Sequence, residues 1–241
     1  MSAEAPPGTE PRIPLSRARV LRAAVDIADT SGIAALTMRR LGETVGAEAM
    51  SLYYHVANKE ALLDGVAEVV IEEISAAVAH IPPPQDPAGW KAVMRSRILT
   101  AREVLLRHPW APGVLQSRTT TSPAVLSYFD AMLGIMAAGG FTYAQAHHAM
   151  HALGSRALGF AQELFNPAGA PSEEPDPAVL EAIAEQFPHL TAMMADAIHN
   201  TPEDTLGWCD DQAEFEFGLD LLLDGLDRLR PGGAATATVA R

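Results

Sequence analysis

The sequence predicts an all-α protein, with a small three-helix helix-turn-helix domain at the N-terminus and a larger helical domain after it. Three observations carry that expectation. Apolar residues recur at helical spacing, as in Val20, Ala23, Ala24 and Ile27 or Phe215, Leu219, Leu222, Leu223 and Leu226. Capping residues (Ser16, Thr37, Asn58, Thr142) and breakers (Gly32, Gly46, His108-Pro109, Gly139-Gly140) punctuate these stretches at helical lengths. No strand pattern, internal repeat or nucleotide-binding glycine loop occurs.

The first 14 residues, rich in proline with glycine and threonine, read as a disordered arm, and residues 231–241 as a disordered tail. Residues 15–64 form the expected first domain and residues 65–230 the second. Ser16 caps the first helix and Gly32 ends it. Thr37 caps the second, whose apolar stripe is Leu36, Leu41 and Val45, and Gly46 turns the chain into a third helix starting near Ala47. Asn58 opens a long helix from Lys59 to about His80, with Leu62, Val66, Val69 and Val70 on one side. Pro82, Pro83, Pro84 and Pro87 then break the chain. Further helices are expected from about Ala88 to Arg107, Pro112 to Gln116, Pro123 to the paired glycines, and Thr142 to about Phe165. After a loop from Asn166 to Asp176, others follow at Pro177 to Gln186, Leu190 to His199 and Thr205 to Leu229.

Composition narrows the function classes. No signal-peptide pattern and no uncharged apolar run of about 18 residues is present, so the expectation is a soluble, cytoplasmic protein without membrane contact. The single Cys209 excludes an intrachain disulfide and a cysteine-based zinc site. The net charge of −13 at first argues against nucleic acid, but it is unevenly spread. Residues 12–63 hold seven basic and five acidic side chains, which leaves the rest of the chain strongly acidic.

The most informative stretch is Thr37 to Lys59. Ala49, Met50, Ser51, Tyr53 and His55 share the outer side of the third helix while Leu52 and Val56 keep core spacing, which suits a recognition helix entering a DNA major groove. Arg39 is able to bind a guanine edge or a phosphate, Ser51 to donate to either, and Ala49 and Met50 to touch thymine methyls.

The run RARVLRAAVDIADTSGIAALTMRRLGETVG followed by LYYHVANKEALLD resembles the DNA-binding domain of the tetracycline-repressor (TetR) family, with Tyr53, His55, Asn58, Lys59, Leu62 and Leu63 in the family's order. The resemblance covers residues 15 to 70. It implies that Tyr53, His55 and Lys59 hold the phosphate backbone and that Tyr54 packs against the first helix. The second domain is similar to the family's regulatory domain through ALLDGV, LLRHPWAPGVLQSR and AGGFTYAQAHHAMHALGSRALGFAQELF. That similarity implies a homodimer built on the helices at Thr142 to Phe165 and Thr205 to Leu229, and a small-molecule effector site.

The effector residues implied are Arg97, Gln116, Met132, His147, Met150 and His151. The chain departs from the family's magnesium-tetracycline pattern: Ser75 stands near the first pocket histidine, Leu115 or Gln116 at the metal-binding histidine, and Met132 at a pocket glutamine, while Glu163 alone matches. No metal or other cofactor is therefore expected, although His147 and His151 have a spacing compatible with a shared ion. The expected function is a ligand-responsive regulator, a repressor released from a pseudo-palindromic double-stranded operator by a small organic molecule. The alternatives are an enzyme or a protein-interaction module carrying the same head. No nucleophile with an orienting partner supports the enzyme, and the presence of Arg39 and Lys59 argues against a head that has lost DNA.

Overall fold

The computed structural model describes residues 14–119, 122–159, 184–189, 191–192 and 211–230, and among them there is no strand. The expected arm to residue 13, the loop Asn166 to Asp176, Glu163, Cys209 and the tail lie outside the described residues. Of the helices expected at 177–186 and 190–199, residues 184–186 and 191–192 are described and are helical. The chain divides into two compact units, one drawn from Met1–Pro82 and Ser96–Gly134 and the other from Pro83–Arg95 and Ile135–Arg241.

In the first unit, α1 (Arg17–Ser31) begins where the Ser16 hydroxyl accepts from the Arg19 amide and ends at Gly32. Helix α2 (Met38–Val45) begins at Thr37, whose side chain accepts from the Arg40 amide. It ends at Gly46, held in the left-handed region at φ 69° that favours glycine, and the Ala47 amide closes back on the Gly42 carbonyl at 2.9 Å. Helix α3 (Ala49–Leu52) follows. Then come α4 (Lys59–Val78), capped by the Asn58 side chain, and α6 (Ala111–Ser117). Helices α5 (Trp90–Arg107) and α7 (Pro123–Ala138) each contribute residues to both units. Val20, Ala24, Leu36, Leu41, Leu52, Leu62 and Val66 are fully buried, so α1 to α4 share one apolar core.

The expected third helix is shorter than its apolar spacing implied. It makes a single turn, and Tyr53, Tyr54 and His55 lie in the turn that follows. The reason is local: Asn58 must be extended, at φ −165°, for its side chain to reach the Ala61 amide at 2.8 Å and start α4. The chain unwinds between Leu52 and Asn58 to allow it. The domain boundary expected at residues 64 and 65 falls inside α4.

The second unit contains α8 (Tyr143–Gly159) and α9 (Asp211–Leu229). Thr142 and Gln145 cap α8 reciprocally: the Gln145 amide donates to the Thr142 hydroxyl and the Gln145 side chain accepts from the Thr142 amide. Phe215, Leu219 and Leu223 form the buried stripe of α9. Trp90 is wholly buried and packs edge-on against Phe141, with ring centroids 4.6 Å apart. Among the described residues no helix is long and apolar enough to cross a membrane.

Candidate nucleic-acid interface and regulatory residues

The head is built so that its polar groups face outward from a fixed frame. Gly42 lets α2 and α3 meet, because a Cβ there would sit 2.7 Å from the Ala47 carbonyl oxygen, a backbone atom that has nowhere to go. The Arg19 guanidinium donates to the Val45 carbonyl at 3.2 Å, satisfying the end of α2 from α1. Arg40 donates to the Ser31 hydroxyl at 2.8 Å, and Arg17 pairs with Glu68 on α4 at 3.1 Å.

On this frame the expected DNA-contacting residues are distributed over three elements. Arg39 projects from α2 with its side chain 89% exposed and pairs with Glu43 at 3.0 Å. Met50 is exposed on α3, where Ala49 and Ser51 are half-buried. Tyr53 is exposed and His55 half-buried in the turn after α3, and Lys59 is exposed at the first residue of α4. Arg39, Ala49 and Ser51 border an open concavity of about 1220 Å³, together with Leu15, Arg19 and Gly46. Tyr54 corrects the sequence reading: it is 92% exposed and does not pack against α1, because the chain has left the helix before reaching it.

Two polar networks inside the first unit tie the head helices to α5 and α6, and neither is legible in local spacing. His108, with its side chain only 7% exposed, lies between two carboxylates. Its Nδ1 is 2.8 Å from Asp29 on α1 and its Nε2 is 3.0 Å from Glu73 on α4. The Trp110 indole N–H donates to the same Asp29 oxygen at 2.6 Å. Ionised carboxylates only accept, so both bonds form together only when both ring nitrogens carry protons, that is, in the imidazolium. Burial alone would lower the His108 pKa, but the hydrogen bonds to Asp29 and Glu73 and their charges outweigh it, and the net direction is upward. Nearby, Arg118 at the end of α6 donates to Glu60 at 2.8 Å and Asp64 at 3.4 Å, both in the first turns of α4.

The expected effector residues fall into two groups. In the first unit, Met132 is buried, Arg97 half-buried and Gln116 exposed. The Arg97 Nε is buried without a hydrogen-bond partner. In the second unit, His147 and His151 are exposed on α8 with ring centroids 4.6 Å apart, and Met150 is half-buried. Among the described residues no group of three or more His, Cys, Asp or Glu side chains is placed to hold a metal ion.

Known proteins agree with this architecture. Residues 20–66 match the family described as bacterial regulatory proteins, tetR family, and residues 83–230 match the tetracyclin repressor-like C-terminal domain. An HTH-type transcriptional regulator of Saccharopolyspora erythraea is 29% identical over 217 residues, covering 88% of this chain and 84% of its own length. A possible TetR family transcriptional regulator from Streptomyces coelicolor superposes with a TM-score of 0.69 at 30% identity, over 89% of this chain and all of that one. The Streptomyces coelicolor TetR family protein ActR, solved in complex with actinorhodin, gives a TM-score of 0.67 at 25% identity over 89% of this chain and 97% of its own. With matched domains at both ends of the helical chain and a capped helix-turn-helix in the first, this protein belongs to the TetR family and is a ligand-responsive, DNA-binding transcriptional regulator.

Proposed function

We propose that the chain acts in the cytoplasm as a homodimeric repressor, bound to a pseudo-palindromic double-stranded operator and released by a small organic effector without a metal or other cofactor. Residues 15–64 read the DNA and residues 65–230 dimerise and take the effector. The observation that carries this reading is the helix-turn-helix frame with Arg39, Met50, Tyr53 and Lys59 left exposed on it. Ala49, Met50 and Ser51 meet base edges, while Tyr53, His55 and Lys59 position the head on phosphate. Effector contacts are assigned to Arg97, Gln116 and Met132, and to His147, Met150 and His151. No residue is assigned a catalytic role.

Dimerisation is assigned to α8 and α9. Phe217, Leu221 and Leu229 stand exposed on α9, an apolar surface that a second copy would bury, and a dimer gives two heads the spacing of successive major grooves. Leu222→Glu and Ala157→Glu are each expected to bury an unpaired charge there and split the dimer. Sedimentation showing intact dimers of both variants rejects the assignment. Release is a population shift: an effector that binds better to a head arrangement mismatched to the operator lowers DNA affinity by that difference.

The deciding experiment is selection of bound duplexes from a random pool, followed by salt titration of the recovered operator. Lys59→Ala is expected to weaken all duplexes alike and reduce the salt slope by roughly one unit, since one fewer counterion is released. Arg39→Ala, if the side chain meets a base, costs about 1–3 kcal/mol and relaxes preference at one position. Recovery of no preferred sequence overturns the reading.

A further inference from the structure

Arg97 is half-buried in the first unit, and among the described residues nothing pairs with its guanidinium. Burial of an arginine, which stays ionised, is ordinarily accompanied by hydrogen bonds or an ion pair. Arg97 Nε is buried with no partner, and among the described residues no hydrogen bond or ion pair engages any part of the side chain. This is not for want of acids, since the chain carries 30 carboxylate side chains against 17 lysines and arginines. Arg95, two positions earlier and so on another side of α5, shows the contrast: it donates to Asp220 at 2.7 Å and to Glu216 at 2.6 Å.

The surroundings of Arg97 are those of a ligand site. Helical spacing puts Ala101 and Val104, both buried, on its face of α5. Tyr128 on α7 is close enough to feel its charge: burial raises the phenol's pKa and the nearby guanidinium works against that rise. Met132, one turn further along α7, is buried as well. One cation and one phenol among apolar side chains is the composition that orients a small organic molecule.

We propose that Arg97 anchors a delocalised oxyanion of the effector, either a carboxylate or a phenolate conjugated to a carbonyl, with Tyr128 beside it as a second polar contact. This rests on the effector-responsive reading above and specifies its ligand class. The planar guanidinium fork matches two oxygens of such a group, so a delocalised anion is held without a bridging metal ion.

The test uses a matched pair of planar probes, anthraquinone-2-carboxylate and its methyl ester, titrated calorimetrically into the full-length protein in EDTA. The acid is expected to bind about tenfold more tightly than the ester, the worth of a charge-assisted hydrogen bond. Arg97→Met should bring the two within about twofold, and Arg97→Lys, which keeps the charge but not the fork, should restore part of the difference. Equal binding of acid and ester to the wild type, failure of both to bind at millimolar concentration, or a preference that survives Arg97→Met each overturns the proposal. Should Arg97→Met not fold, the wild-type comparison and Arg97→Lys still decide. An operator-release titration separates the two readings: release by the ester as readily as by the acid removes the oxyanion anchor and leaves the effector-responsive repressor standing.

Discussion

Each unit ties its helices together with charge, but the two ties are built in opposite ways. In the first, the His108 ring is buried and bonded at both nitrogens, to Asp29 on α1 and Glu73 on α4. In the second, an acidic face of α9 meets the start of α5 along an exposed ladder: Glu216 and Asp220 with Arg95, Asp224 with Lys91, and Asp227 with the Trp90 indole N–H. The ladder has more partners, yet apart from the buried Trp90 indole they are a third to a half exposed, where screening and side-chain entropy offset most of the attraction. The His108 node has fewer, but its ring is only 7% exposed while Asp29 and Glu73 reach water, so losing a partner leaves the buried imidazolium poorly solvated. The network with fewer bonds should therefore matter more, and it is the one that joins a head helix to the corner between α5 and α6.

The most severe test of that contrast is His108→Ala. Trp110 still donates to Asp29 and Arg107 still lies 3.9 Å from Glu73, so the expected loss is that of the buried ring with its two charge-assisted hydrogen bonds, about 2 kcal/mol in denaturant unfolding. A loss no greater than that of Arg95→Met would reverse the ranking of the two networks. pH sharpens the same point. Because the His108 pKa is higher in the folded protein than its ordinary value of 6.5, its stabilising contribution is complete below that pH and is lost as pH rises through the raised value. The stability difference between wild type and His108→Gln should therefore shrink on going from pH 6 to pH 9; a difference that grows would mean that the neutral ring makes the contacts.

Arg95→Met is expected to have a smaller effect, because its guanidinium is a third exposed, so that water replaces Asp220 and Glu216 more readily than it replaces the partners of the buried His108 ring. The pKa of Arg95 is pushed above the ordinary arginine range by the hydrogen bonds that its guanidinium donates to Asp220 and Glu216, yet this has little bearing on stability at accessible pH since the group is charged throughout. Molar salt should erase most of the difference from wild type in thermal unfolding, whereas the His108 defect should persist in the same salt. Lys91→Ala, which removes a single rung of the ladder, should be the mildest of the three and fall within the scatter of repeated melts.

Much of the architecture was legible because its causes are local. Ser16, Thr37 and Asn58 each cap a helix through a side chain reaching an amide three residues on, and Gly46 adopts the backbone conformation that ends α2, all within one turn of chain. Apolar spacing likewise gave the buried stripe of Phe215, Leu219 and Leu223 without any partner being known. The length of α3 was misjudged for the opposite reason: its spacing would have allowed more turns, and the demand of Asn58 for an extended backbone ended it at Leu52.

Tertiary structure alone decided where distant groups meet. His108 is 79 residues from Asp29 and 35 from Glu73, Arg118 is 58 from Glu60, and Arg95 is 125 from Asp220, separations at which no periodicity links one side chain to another. The same holds for Gly42, whose place close to the Ala47 carbonyl depends on how α2 and α3 pack, and for Tyr54, whose exposure depends on where the chain leaves its helix. It holds most for Arg97, half-buried and without a partner among the described residues, since the lack of a partner is visible only in the folded chain. A sequence records the residues available to pair; only the folded chain fixes the few-ångström distances at which hydrogen bonds and ion pairs form or fail to form.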